Sequence, residues 1–354
     1  PHAEINAIRD AQSRGEKIEG ATLFCNLEPC CHTKKQTPPC AAELIKQKIG
    51  LVVIANVDPN PQVAGGGIAQ LRQSGIEVVT GVLEEQGKKL NEVFFKFIQT
   101  GLPFVHLKMG QTLDGKVAAR KVGLDQTKYI TGPESLAKVH WMRQKYDSIM
   151  IGANTLRLDN PSLTNRLNPL NHPNRLDKRA PFSSSLSPEA SAFSEPLKIS
   201  QPLRVIVSGN IQNLDLKSQV FTDEFTSKTW VVTTTENADK NSVLVQQWKQ
   251  KGITLLATEK SNSKIKSTDP NCSRPDLHKY PDLRQMLGLL GEKKITSVLL
   301  EGGPGLATEF LKAKLVDKVS FFVAPCLLGA GTNSINDLGI DYLTEKLDLM
   351  RPEY

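Results

Sequence analysis

The sequence predicts an α/β protein of two consecutive domains. The 354 residues exceed what a single hydrophobic core usually organises. Strand-like apolar runs alternate with helix-spaced segments over residues 1 to about 100, the signature of βα units and a largely parallel sheet covered by helices. Gly101-Leu102-Pro103 then breaks the pattern and a new strand begins. The expected division is therefore 1–102 and 103–354.

In chain order, Ala3 to Ser13 has helical spacing through Ile5, Ile8 and Ala11. Ala21 to Leu27 reads as a buried strand, Ala41 to Lys48 as a helix and Leu51 to Val57 as a second strand. Ile68 to Gln73 is helical and Glu77 to Val82 is a short strand. In the second domain, Phe104 to Lys108 opens a strand. Thr131-Gly132-Pro133-Glu134 matches a capping box with Thr131 as N-cap. Strands are expected at Ser148 to Gly152, Arg204 to Val207, Thr229 to Thr233 and Ser297 to Glu301. A helix at Gly305 to Lys314 and an apolar strand at Val319 to Pro325 follow. Residues 167–200 and 260–275 are polar, lack periodicity and read as insertions.

The formal charge of +7 suits phosphorylated small molecules and nucleic acid alike. Acidic and basic residues are interleaved and no run of five basic residues marks a nucleic-acid tail. No apolar run is long enough to span a bilayer. Of six cysteines, Cys25, Cys30, Cys31 and Cys40 crowd together, which in an enzyme-length chain reads as a metal site in a reducing, cytoplasmic compartment.

His2-Ala3-Glu4 precedes Glu28-Pro29-Cys30 and Pro38-Pro39-Cys40. A catalytic zinc site needs three protein ligands and one open position, and His2, Cys30 and Cys40 supply a nitrogen-and-sulfur set that suits zinc. Zinc lowers the pKa of a water it binds toward about 7. Glu4 is then the carboxylate that moves protons to the leaving ammonia without being a ligand. Residues i and i+2 of a helix point apart, so His2 and Glu4 share a site only if His2 lies at or before the helix start. Cys40 opens a helix, whose positive end stabilises a thiolate. Cys31 and His32 remain adjacent alternatives to Cys30, and a purely structural zinc or buried free cysteines are the plainer alternatives. Cys25 lies in a strand pattern and reads as core.

Glu28-Pro29-Cys30-Cys31-His32-Thr33 and Thr37-Pro38-Pro39-Cys40 resemble the bifunctional bacterial riboflavin-biosynthesis deaminase/reductase family, within the cytidine-deaminase-like group. Asp58-Pro59-Asn60-Pro61, Val63 to Gly67, Leu90-Asn91-Glu92 and Phe95 share the resemblance. So do Lys108, Leu113 to Lys116, Ile130-Thr131-Gly132, Thr155, Asp159-Asn160-Pro161, Leu163-Thr164, Arg166 and Glu301 to Pro304. The resemblance implies a three-layer deaminase domain followed by a domain similar to dihydrofolate reductase. It also implies further residues before His2, so the first domain is expected to be N-terminally incomplete.

The implied reactions are deamination of 2,5-diamino-6-ribosylamino-4(3H)-pyrimidinone 5′-phosphate and NADPH-dependent reduction of its ribosyl group to ribityl. The implied cofactors are Zn2+ and NADPH. The implied partner is the phosphorylated pyrimidine ribotide, with no nucleic acid, no membrane and a homo-oligomeric assembly. By the same resemblance, Gly110, Tyr129, Thr155 and Asp159 line the NADPH site, and Gly303, Pro304, Gly305, Leu306, Ala307, Thr308 and Glu309 form its phosphate turn. Thr127, Arg143, Leu163, Arg166 and Glu301 contact substrate. A Gly-rich turn between a strand and a helix offers N–H groups to phosphate, though it also serves as a simple tight turn. It is not the GxGxxG dinucleotide fingerprint. Arg143 and Arg166 carry guanidinium forks that match phosphate oxygens. Asp159 is assigned to orienting or protonating the sugar. His106, His140, His172 and His278 read as structural or surface residues, and Trp141 as core. A nucleic-acid base deaminase, or a reductase with an inactive first domain, are the competing readings.

Overall fold

The computed structural model describes residues 2–32, 38–120, 129–167, 199–261, 280–350 and 352. Most of both polar insertions, the loop after His32 and the candidate residue Thr127 lie outside the described residues. The chain divides into two compact units, Pro1–Leu102 and Pro103–Tyr354.

The first unit runs α1 (Ala3–Ser13), β1 (Thr22–Leu27), α2 (Cys40–Lys46), β2 (Leu51–Asn56), α3 (Gly66–Gln73), β3 (Glu77–Thr80), α4 (Glu84–Leu90) and α5 (Glu92–Thr100). Its three strands form a parallel sheet in the order β1-β2-β3. The β-branched run Val52-Val53-Ile54 favours the central strand. Alternation along β2 sends Val52 and Ile54 to one face, where they pack with Ile8 of α1, Ala41 and Leu44 of α2, and Ile68 and Leu71 of α3. Helix α4 covers the other face. A Cβ at its Gly87 would lie 2.2 Å from Asn56 Oδ1 and 2.9 Å from Ala55 Cβ, so only glycine permits this approach. The result is three layers, helix–sheet–helix.

The second unit contains β4 (Phe104–Thr112), β5 (Lys116–Ala119), α6 (Pro133–Lys145), β6 (Ser148–Gly152), α7 (Ala153–Asp159), β7 (Leu203–Val207) and β8 (Thr229–Thr234). It continues with α8 (Thr235–Lys240), α9 (Ser242–Gln250), β9 (Thr254–Thr258), α10 (Leu283–Glu292), β10 (Ser297–Leu300), α11 (Pro304–Lys312), β11 (Lys318–Ala324) and β12 (Gly331–Asn333). Seven strands pair in the order β11-β4-β10-β6-β7-β8-β9, every pairing parallel. A parallel sheet is covered on both faces, so its strands read as near-continuous apolar runs. Ile149, Met150, Val205, Ile206, Val298, Leu299 and Leu300 are all fully buried accordingly. β5 and β12 form a separate antiparallel ribbon.

One local expectation fails. The capping box at Thr131 does not form. Gly132 is the N-cap and Pro133 takes the first helical turn, with no side-chain cap. Proline lacks an N–H and is pre-set for that position, so it fixes the start one residue later. Leu163, an expected substrate contact, has φ of 53° and sits 2 % exposed in the core with Leu156, Ile206 and Trp248.

Candidate functional site

In the first unit, His2 is the N-cap of α1 with extended backbone angles (φ −73°, ψ 167°), and Glu4 lies in the first helical turn. The condition for His2 and Glu4 to share a site is therefore met. Cys30 follows β1, and Cys40 is the first residue of α2, so three separate segments converge. His2 Nδ1 lies 3.5 Å from Cys30 Sγ and 3.3 Å from Cys40 Sγ. The ligand atoms of these three residues all fall within 4.8 Å of one another. Among the described residues this is the one metal-capable group of three.

The spacing discriminates between hydrogen bonding and metal binding. A tetrahedral ion with Zn–S of about 2.3 Å and Zn–N of about 2.05 Å separates N from S by roughly 3.6 Å. One imidazole nitrogen has a single in-plane lone pair, so it cannot accept two thiol protons well. Two sulfurs at near-equal distance from it suit a shared cation better. Both cysteines are buried while His2 is exposed, which leaves one side of the cage open. The Cys40 N–H donates to Cys30 Sγ at 3.4 Å, and the Ala41 N–H to the Cys30 carbonyl oxygen at 3.2 Å, so α2 holds both the sulfur and the backbone of Cys30.

Of the neighbouring carboxylates, two are engaged. Glu28, 3 % exposed, accepts N–H groups from Asp58, Gly65, Gly67 and Ile68. Asp58 Oδ1 accepts the Asn60 N–H at 2.8 Å. Burial raises the Asp58 carboxyl, the Asn60 bond opposes this, and the Glu28 charge raises it further. Glu4 is only half-buried, on the helix that His2 caps. Burial, then the charges of Glu4 and Glu28, push the Cys25 thiol up to about 12. Cys25 is thus a protonated thiol bonded to Val53 O at 3.7 Å, in keeping with a core role. Cys31 Sγ instead faces Gly66, where a Cβ would come within 2.8 Å.

In the second unit the carboxyl ends of β4, β10 and β6 lie side by side, the edge at which parallel sheets bind ligands. Glu301 follows β10. Its Oε1 and Oε2 accept Arg143 Nε at 2.7 Å and Nη2 at 2.9 Å, and both side chains are only 10 % exposed. Arg143 Nη1 donates to Thr164 O at 2.9 Å. Burial opposes ionisation of Glu301, but the Arg143 charge and hydrogen bond, with Lys108 and His140 behind them, hold its carboxyl below the ordinary value. Burial and Arg143 lower Lys108 on β4, with Glu301 opposing. The Lys108 ammonium stands 5.4 Å over the Phe322 ring and 3.9 Å from where a Cβ on Gly110 would be. His140 Nδ1 accepts the Arg166 N–H at 3.1 Å. Burial, then the charges of Arg143 and Arg166, push that imidazole down to about 4. Tyr129 is 57 % exposed. Arg143 is thus already committed to Glu301 and Thr164, so Arg166 is the less encumbered of the two arginines.

The glycine turn sits beside this cluster. Gly303 N–H donates to Thr155 Oγ1 at 2.9 Å, joining the starts of α7 and α11. Pro304 opens α11, and the Ala307 N–H already closes on Gly303 O at 3.2 Å. The outward-facing N–H groups of the first turn therefore belong to Gly305 and Leu306. Ala307 is buried, and Thr308 accepts the Asn336 N–H at 2.9 Å, so their side chains serve packing. Glu309 is further along the same helix. Asp159 ends α7 four residues after Thr155, on the same helical face. With Leu163 packed into the core, only its main chain can face a ligand.

Residues 103–351 match the RibD C-terminal domain family, and residues 1–56 match the cytidine and deoxycytidylate deaminase zinc-binding region. The chain belongs to the RibD family. It is 34 % identical to the riboflavin biosynthesis protein RibD of Aquifex aeolicus (strain VF5), over 99 % of this chain and 81 % of that protein. It is 31 % identical to RibD of Escherichia coli (strain K12), over 98 % of this chain and 81 % of the relative. Acinetobacter baumannii RibD superposes with a TM-score of 0.71 at 29 % identity, covering 98 % of this chain and 80 % of the other. A diaminohydroxyphosphoribosylaminopyrimidine deaminase/5-amino-6-(5-phosphoribosylamino)uracil reductase from Thermotoga maritima gives 0.64 at 31 % identity, covering 97 % and 79 %.

Within this RibD frame, two residues carry more than sequence reasoning gave them. Lys108 and Glu28 appeared only as motif members, because their partners lie far along the chain. His106 is also more embedded than a generic structural histidine, with Tyr146 OH at 2.5 Å from Nδ1 and Ser320 Oγ at 2.8 Å from Nε2. His172 and His278 lie outside the described residues, and Trp141 is half-buried. No helix among the described residues is long and apolar enough to cross a membrane.

Proposed function

We propose that this chain performs two steps of riboflavin biosynthesis, a zinc-dependent hydrolytic deamination of 2,5-diamino-6-ribosylamino-4(3H)-pyrimidinone 5′-phosphate in the first unit and an NADPH-dependent reduction of the ribosyl group to ribityl in the second. The observation that carries the reading is the His2–Cys30–Cys40 cage on the same chain as the Lys108–Glu301–Arg143 cluster.

His2, Cys30 and Cys40 would hold the zinc. A zinc ion there supplies the Lewis acidity that makes water a nucleophile at neutral pH. Glu4 takes a proton from the attacking water and delivers it to the departing amino group, so the ring carbon gains oxygen and loses ammonia. In the second unit, Gly305 and Leu306 offer N–H groups to a cofactor phosphate, and Thr155 braces the turn at Gly303. Bound NADPH supplies the hydride. Lys108, with its depressed pKa, donates a proton to the sugar ring oxygen as the ring opens. Glu301 keeps Lys108 charged, Arg166 binds the ribotide phosphate, and Asp159 orients the sugar.

The test is a pair of variants with three readouts: zinc content, ammonia release and NADPH oxidation. Glu4→Gln should keep zinc, keep NADPH oxidation on deaminated substrate, and lose ammonia release by about 10²–10⁴-fold. Loss of zinc in that variant would make Glu4 a ligand and end its proton-transfer role. Asp159→Asn should slow only NADPH oxidation; an equal fall in ammonia release would remove it from the second site. A parent chain that binds no zinc, or releases no ammonia, defeats the deaminase half.

A further inference from the structure

Glu28 occupies an unusual position for a carboxylate. It is 3 % exposed, and its four bonds run to main-chain N–H groups. Oε2 accepts Asp58 N at 3.1 Å and Gly65 N at 3.0 Å, while Oε1 accepts Gly67 N at 2.9 Å and Ile68 N at 3.1 Å. Gly67 and Ile68 belong to the first turn of α3, whose positive end favours an anion. Glu28's own N–H donates to Asn56 O at 2.9 Å, extending the register of β1 and β2 by one step. One residue therefore ties together the ends of two strands, the loop at Asp58 and the start of α3.

The next residues in the chain are Pro29 and the ligand Cys30. The fit around them is backbone against backbone. A Cβ on Gly67 would lie 2.0 Å from Pro29 O and 3.2 Å from Glu28 Oε1, and one on Gly66 would lie 2.8 Å from Cys31 Sγ. From the other side, α2 grips Cys30 through the Cys40 and Ala41 N–H groups. Cys30 is thus held between two fixed bodies, α2 and the Glu28-anchored turn.

We propose that Glu28 is a positioning residue for the metal cage: by clamping the Pro29–Cys31 turn onto the start of α3, it fixes Cys30 Sγ at the distance from His2 and Cys40 that the ion requires. The proposal rests on the zinc reading above. Its physical content is specific. In Glu28→Gln one acceptor oxygen becomes an NH2 group facing two buried N–H donors, so two bonds are lost and donor meets donor. The turn then relaxes, and Cys30 keeps only its α2 contacts. Groups that orient metal ligands typically change affinity by about 10–100-fold when removed.

The experiment measures zinc affinity on the full chain by competition with a chromophoric chelator, and the visible spectrum of the Co2+-loaded protein. Glu28→Gln should bind zinc about 10–100-fold more weakly and show an altered cobalt–thiolate band. Glu28→Asp, which keeps the charge but shortens the reach, should fall between Glu28→Gln and the parent, and remains readable if Glu28→Gln does not fold. Val78→Ala, a cavity in the same core away from the cage, is the stability control and should leave affinity and spectrum unchanged. Parent-like affinity and spectrum in the folded Glu28 variants overturn the proposal. So does equal weakening in Val78→Ala, because that would reduce Glu28 to a stabilising residue. A parent chain that binds no zinc fails the metal reading itself, a distinct outcome.

Discussion

Replacing Glu301 by Gln removes one charge from a buried cluster without changing its shape. The pair it forms with Arg143 is bidentate, at 2.7 and 2.9 Å, with both side chains 10 % exposed. Two charge centres about 4 Å apart interact by roughly 4 kcal/mol at an effective dielectric of 20. Breaking a buried pair by removing one partner costs about 3–5 kcal/mol. The amide retains one acceptor oxygen, so the lower end, about 3 kcal/mol, is expected. For a unit of this size that lowers Tm by about 6–12 °C. A second effect concerns Lys108. Burial and Arg143 depress its pKa and Glu301 opposes them, so loss of Glu301 lowers it further. The high-pH limb of NADPH oxidation should move to lower pH, while ammonia release keeps its profile. The assays are thermal denaturation and pH–rate profiles of Glu301→Gln, Arg143→Gln and the double variant. Additive Tm losses, or an unmoved high-pH limb, would refute the coupling.

Two further outcomes are expected. His106, 5 % exposed, has its imidazole pushed down to about 4, by burial first and by the Lys318 charge second. The unfolded chain takes up this proton near pH 6.5 and the folded chain does not until about 4, so stability falls as pH drops through that window, by about 3 kcal/mol for this group. His106→Gln should flatten the decline in Tm between pH 7 and 5, though not abolish it because His140 acts in the same direction; identical slopes in parent and variant would contradict this. Gly303→Ala places a Cβ 2.9 Å from Thr155 Oγ1, so the brace between α7 and α11 must shift. The apparent KM for NADPH should rise several-fold with zinc content and ammonia release unchanged, and an unaltered KM would detach the turn from the cofactor.

What the sequence revealed, and what it concealed, follows the range of the interactions. The metal cage was readable because His2, Cys30 and Cys40 each sit in a short motif that brings its own local geometry, and the helix start at Ala3 decided whether His2 and Glu4 could meet. Strands β2, β6, β7 and β10 were readable as β-branched or aliphatic runs. The short helices α7 and α8 were not, because seven and six residues give too little periodicity to register. Helices α4 and α5, strand β9 and the β5–β12 ribbon were likewise passed over. Glu28 looked like a motif letter because its four donors come from residues 58–68, and no pattern within its own segment announces them. Arg143 and Glu301 were both singled out as substrate contacts, but their partnership spans 158 positions and shows only in three dimensions.

The overall charge of +7 said little about function, and the structure explains why: charge matters here by its local placement. Beside the carboxyl ends of β4 and β10, Lys108, Arg143 and Arg166 bring three positive charges against the single carboxylate of Glu301, an excess of two. His140, held down near 4 by burial and by those same arginines, stays neutral at physiological pH and keeps the excess from growing. A surplus of cations with one internal counter-ion leaves a local potential that favours anions. The first unit solves the opposite problem. In the proposed zinc site its two cysteines would share a cation, and the carboxylate of Glu28 would compete for it. Four main-chain donors satisfy Glu28 instead, while the half-buried Glu4 stays in the first turn of the helix that His2 caps.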